Sequence, residues 1–252
     1  MVDRNRELEG KVAIVTGSAR NIGRATASEL ARGGAAVVIN SVQSEALCAE
    51  VAESIVAEGG RAIAVCADIR DPQDVARMVD ATLAAFGRID ILVNNAAVRN
   101  NIGFAELEFE DWVALREVAL DGAFRMSMAC VPHMIEGGGG AIVSIHGLNS
   151  YLGNGAHRSA VKDGMAGMAR GMARDLGPNN ITSNIAVVGP FDTDRAGSSS
   201  TPTARKPSAP IPMGRRGVPQ DMADLVRFLV GPFARFISGQ TIHLNGGLHM
   251  PH

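Results

Sequence analysis

The stretch Val12-Ala13-Ile14-Val15-Thr16-Gly17-Ser18-Ala19-Arg20-Asn21-Ile22-Gly23 decides the fold. Its opening residues are apolar or β-branched and stop at a glycine, the pattern of a short strand buried on both faces. Ile22, Thr26 and Leu30 then recur at helical spacing until Gly33-Gly34 ends the run. Gly17 lets the chain turn sharply, and Gly23 lets helix and strand pack closely. The N-terminus of such a helix presents N–H groups and a positive dipole end to a pyrophosphate. A glycine pair alone says little; a strand before it and a helix after it make it informative.

The alternation continues along the chain. Further strands are expected at Ala36–Ile39, Ala62–Cys66, Ile89–Val93, Ala141–Ile145, Ile181–Val188 and Gln240–Leu244. Helices are expected at Ala46–Ala57, Asp74–Phe86, Phe109–Met134, Ser159–Leu176 and Asp221–Val230. Strands separated by helices of this length form βαβ units and a parallel sheet covered on both faces. Residues 197–212 break the rhythm. They are rich in Ser, Pro, Thr and Ala around Arg205-Lys206, and read as a substrate lid or as a surface insertion.

Composition excludes several classes. The 24 Lys+Arg and 26 Asp+Glu give a net charge of −2, too little to grip nucleic acid or an anionic membrane. No apolar run is long enough for a transmembrane helix, and the charged start Met1–Lys11 does not read as a secretory signal. Cys48, Cys66 and Cys130 are widely spaced, as expected of reduced thiols in a cytoplasmic protein. The 252 residues suit one α/β domain over 1–252. There is a single tyrosine, Tyr151.

These motifs resemble the short-chain dehydrogenase/reductase family in its single-domain branch. Thr16–Gly23 is similar to that family's T-G-x-x-x-G-x-G, with Asn21 in place of the middle glycine. Asn tolerates positive φ better than other side chains, so the turn is expected to survive. Ala67-Asp68-Ile69 looks like the adenine-binding segment, and Asn94-Asn95-Ala96-Ala97 resembles N-N-A-G. Asn184 through Thr193, which includes Gly189 and Phe191, resembles the stretch over the nicotinamide and its phosphates, with Val188 replacing a proline. Ile237-Ser238-Gly239-Gln240 and Asn245-Gly246-Gly247 match the family's ending. The resemblance implies a Rossmann-type, doubly wound sheet of about seven strands in three αβα layers. It also implies a small-molecule substrate and a homotetramer built partly from the helix after the fourth strand and the helix of Lys162.

An acidic residue after the second strand would hold the ribose 2′-OH of NAD and repel a 2′-phosphate. Here Asn40-Ser41-Val42-Gln43-Ser44 precedes the first carboxylate, Glu45, and Arg20 adds a cation. NADP is therefore expected, with NAD permitted.

The family's catalytic set is Asn, Ser, Tyr and Lys. Lys162 matches the lysine; the other three positions carry Ala119, Gly147 and Arg158. The Gly147–Arg158 loop is shorter than the family's, and no tyrosine stands four residues before Lys162. An arginine keeps its charge and cannot shuttle a proton, but it can hold a carboxylate or a developing oxyanion; the alternative reading is a solvent-facing or salt-bridged arginine at the helix start. His146, at the end of the fifth strand, is a candidate acid–base or orienting group, or a structural histidine. Tyr151 either reaches the substrate or packs in its loop; His157 and Asn149 are weaker candidates. His249-x-x-His252 lacks a third ligand, so no metal is expected. Three functions follow: an NADP-dependent oxidoreductase of a small carbonyl or alcohol with an altered acid, a non-redox lyase or dehydratase, and a silent cofactor-binding subunit.

Overall fold

The computed structural model describes residues 6–98, 102–193 and 210–250. In chain order the elements are β1 (Val12–Val15), α1 (Asn21–Arg32), β2 (Ala36–Ser41), α2 (Glu45–Ala57) and β3 (Arg61–Cys66). They continue with α3 (Pro72–Phe86), β4 (Ile91–Asn94), α4 (Phe109–Arg116), α5 (Ala123–Glu136) and β5 (Gly140–Gly147). The last are α6 (Ala156–Leu176), β6 (Ile181–Val188), α7 (Pro219–Val230) and β7 (Thr241–Leu244). The expected lid at 197–212 lies outside the described residues except for 210–212, as do the first five residues and His252.

All seven strands form one parallel sheet in the order β3-β2-β1-β4-β5-β6-β7. Alternate residues of each strand feed opposite faces. Val15, Val37, Val93 and Val143 pack with Leu30 of α1 and Met222 and Val226 of α7. Ile14, Val38, Leu92 and Ile142 pack on the other face with Met78 of α3 and Met126 and Met134 of α5. Toward β6, Val161 and Met165 of α6 cover Ile185 and Val187. The strand order reverses between β1 and β4, and a crevice opens there at the carboxyl ends of the strands.

Two expectations on element boundaries are corrected. The helix expected over Phe109–Met134 is not continuous: a π-helical turn, Glu117–Gly122, separates α4 from α5. Gly122, the last residue of that turn, lies against Ile69, where an added Cβ would lie 2.7 Å from Ile69 Cδ1. The fourth strand starts at Ile91 rather than Ile89, because Asp90 is a buried anchor. Its carboxylate accepts from Lys11 Nζ at 2.9 Å, Arg88 Nη2 at 2.6 Å and the Val12 amide at 3.0 Å. Burial alone would raise its pKa, but these donors outweigh it and hold the group below the usual carboxylate range.

Candidate active site at the carboxyl edge of the sheet

The glycine loop is held by side chains that reach across the crevice. Asn95 Nδ2 donates to the carbonyls of Thr16 and Gly17, both at 2.9 Å. Thr16 Oγ1 accepts from the amides of Asn95 at 3.0 Å and Ala96 at 3.1 Å. Ser18 Oγ donates to Val15 O at 2.7 Å and accepts from the Asn40 amide at 2.9 Å. Gly17 has φ +63°, and a Cβ there would sit 2.9 Å from Ala96 Cα. Thr16 and Ser18 were not among the binding candidates; their position on either side of Gly17 is the only sequence signal for them.

Asn21 stands in the left-handed region at φ +50°, which answers how the loop survives without its middle glycine. The left-handed well costs most L-residues about 1–2 kcal/mol, and less for Asn. We therefore expect Asn21→Gly to melt at or above the wild-type temperature, and Asn21→Val to lose about 1–2 kcal/mol in urea unfolding. Equal stability of the two variants would refute this reading of the turn.

The first turn of α1 carries no acidic residue, and no side chain caps it. Its N–H groups and those of Ile22 and Gly23 thus suit an anion, with Arg20 exposed beside them. Asn40, in contrast, is committed to the scaffold. It is buried, donates to Val65 O at 3.2 Å and Ala67 O at 3.0 Å, and accepts from the Gly17 amide at 3.3 Å. Ser41 is the half-buried member of that pair. Asp68 grips Arg70 at 2.6 Å, and this hydrogen bond holds its carboxyl below the usual range; Ile69 is buried beside it.

On the substrate side, Lys162 Nζ donates to Ile145 O at 2.9 Å. Arg158 lies in the first turn of α6, one turn before Lys162, so both project from one helix face. Gly147 faces open space: an added Cβ would meet nothing within 4 Å. Ala119 is buried within the π turn.

The structure buries His146 and packs the Tyr151 ring against β7. The His146 side chain is 0% exposed, and its Nδ1 is 3.0 Å from Gly147 O. Burial, aided by the Lys162 cation, pushes its pKa down to about 4, so it is neutral near pH 7. The Tyr151 ring packs edge-on against His243, 4.5 Å between centroids, and lies 5.3 Å from His146 and 5.8 Å from His249. Its ring thus lies against β7, and partial burial there raises the pKa of the hydroxyl. Periodicity gives no warning of this, because β7 is remote in sequence from the Tyr151 loop. His157 is buried at the start of α6.

Beyond β6 the chain is braced. The Gly189 amide donates to Leu244 O at 2.9 Å, and a Cβ on Gly189 would lie 2.6 Å from Asn245 Cα. Phe191 pairs with Gly217 as an isolated parallel bridge, its ring filling the place of a Cβ there. Arg216 binds Phe191 O at 2.8 Å and the Asp192 carboxylate. Thr193 is the last described residue before 210. The Arg216–Gly217 brace had no signal in the sequence reading.

A doubly wound parallel sheet with this glycine loop at its switch point defines a dinucleotide-binding enzyme scaffold. The family pattern described as enoyl-(acyl carrier protein) reductase matches residues 17–249, and the chain belongs to the short-chain dehydrogenase/reductase family of oxidoreductases. It is 36% identical over 247 residues to a 3-oxoacyl-[acyl-carrier-protein] reductase of Synechocystis, covering 96% of this chain and 98% of that one. It is 34% identical over 244 residues to the Escherichia coli enzyme of that name, with 96% and 98% covered. The Staphylococcus aureus enzyme is 33% identical over 242 residues, with 95% and 98% covered. Among the described residues, no helix is long and apolar enough to cross a membrane.

Proposed function

We propose that the chain is a single-domain, NADP-dependent oxidoreductase that moves hydride to or from a small carbonyl or alcohol substrate, with an acid–base group other than tyrosine. The observation that carries this reading is the cradle at Gly17 and Gly23, closed on one side by Asn95 and open on the other to the uncapped start of α1. When bound, the dinucleotide supplies the hydride. Gly17, Arg20, Asn21, Ile22 and Gly23 would hold its pyrophosphate, Asp68 and Ile69 its adenine, and Asn95, Gly189, Phe191 and Thr193 its nicotinamide half. Ser41 and Arg20, with no carboxylate before Glu45, suit a 2′-phosphate; Asn40 contributes by shaping the loop.

Of the residues expected to act in catalysis, Lys162 is the one suited to moving a proton. His146 is buried, the Tyr151 ring packs against His243 with its pKa raised, and Arg158 keeps its charge. Lys162 then binds the ribose and passes the proton that the alkoxide oxygen takes up, while Arg158 stabilises developing negative charge. The names of the relatives support an oxo group as the reacting centre. A homotetramer is supported by the exposed Phe124 and Met128 of α5, with Phe124 and Met168 of α6 lining one shallow cavity.

Fluorescence titration should give an NADPH affinity about tenfold or more above that for NADH. Lys162→Gln should lower turnover of a carbonyl panel about 100-fold or more. Equal affinities would remove the NADP preference. Turnover that persists without dinucleotide would instead identify a lyase or dehydratase.

A further inference from the structure

We infer that the substrate is an oxo acid or the corresponding hydroxy acid, its carboxylate one or two carbons from the reacting carbonyl, and that Arg158 selects it. This rests on the oxidoreductase reading above. A neutral carbonyl is well served by hydroxyl donors, and here the two positions that would offer them carry Gly147 and Arg158. What remains on that face of α6 is a pair of cations one turn apart, Arg158 and Lys162. A carboxylate bound beside this face would be attracted by both. The guanidinium fork matches a carboxylate through two parallel hydrogen bonds, which a thioester or simple ketone cannot provide.

Two glycines make the room. Gly147 leaves open space where a side chain would project. Gly155, at φ +88°, lets the Arg158 side chain fold back over the start of α6; a Cβ on Gly155 would lie 2.7 Å from Arg158 Nε and 2.9 Å from Nη2. Residues 155 and 158 thus form a matched pair in which the glycine sets where the guanidinium lies. The neighbouring carboxylate, Asp163, is directed elsewhere, with Oδ1 3.8 Å from His146 Nε2. In the reduction, the carbonyl carbon gains hydride, the π pair moves onto oxygen, and that oxygen takes one proton. The substrate gains two electrons at the expense of the dinucleotide, and Arg158 exchanges nothing.

The test compares 2-oxobutanoate and 3-oxobutanoate with their methyl esters. Binding is read by thermal shift with and without NADPH, and turnover by NADPH consumption. The wild type should bind at least one of the acids about tenfold or more tighter than its ester. Arg158→Gln should erase that preference and raise KM more than it lowers kcat, whereas Arg158→Lys should keep part of it. Gly155→Ala, strained at φ +88° and crowding the guanidinium, should weaken acid binding more than ester binding. Equal binding of acid and ester by the wild type, or a preference that survives Arg158→Gln, overturns the inference. Acid-selective binding without hydride transfer upholds the role of Arg158 and overturns the oxidoreductase reading instead.

Discussion

Gly23→Ala should abolish dinucleotide binding and destabilise the fold by about 1–3 kcal/mol or more. The added Cβ would lie 2.6 Å from Asn95 Nδ2 and 2.8 Å from Ser18 Cα, and closer still to the Gly17 carbonyl. Two of these three neighbours are backbone, so no flexible chain end can yield. The third, Asn95 Nδ2, is the donor that holds Thr16 O and Gly17 O. Relief requires α1 to back away from β1 or the Asn95 clasp to open, and either change moves the N–H groups that face the pyrophosphate. Gly171→Ala is the control. It lies inside α6 with nothing within 4 Å of its Cβ position and should be neutral or stabilising by up to about 1 kcal/mol. Urea unfolding and NADPH titration of both variants check the contrast. A Gly23→Ala protein that melts and binds like the wild type would show that the loop is not packed as described.

Stability should fall steeply with acid below about pH 6.5, with His146 the largest single contributor. The folded protein holds His146 near pKa 4, first because it is buried and second because Lys162 stands beside it. An unfolded chain would titrate this imidazole near its ordinary value of about 6.5. Between these values the unfolded state binds more protons, so stability rises with pH. The contribution is complete above the unfolded value and is lost as pH falls toward 4. Complete loss corresponds to on the order of 3 kcal/mol. His157 and His243, also lowered by burial, act in the same direction. The groups around His146 are Lys162, Asp163, Tyr151 and His243. Urea midpoints measured from pH 4 to 8 should show the slope, and His146→Gln should flatten it even if its stability at pH 8 is lower. His146→Asn provides a second non-titrating side chain. Slopes unchanged in both variants would mean that other groups set the acid limit.

The strand and helix order, the parallel sheet and the dinucleotide turn were legible because each rests on short-range signals: apolar period, glycine position and spacing. That Arg158 and Lys162 share one helix was legible for the same reason, being a matter of four residues along the chain. The state of the candidate residues was not. Tyr151 is packed by His243, His146 is buried beside α6, and Asn40 is consumed by β3 and the glycine loop. Each of those partners is distant in sequence. The π turn likewise sets Gly122 against Ile69, which no pattern within 109–134 reveals. The sequence by itself determined that this is a doubly wound dinucleotide fold. Only the tertiary structure decided which of the remaining polar side chains are buried or held by hydrogen bonds, because burial and hydrogen-bond commitment are set by elements that meet in space.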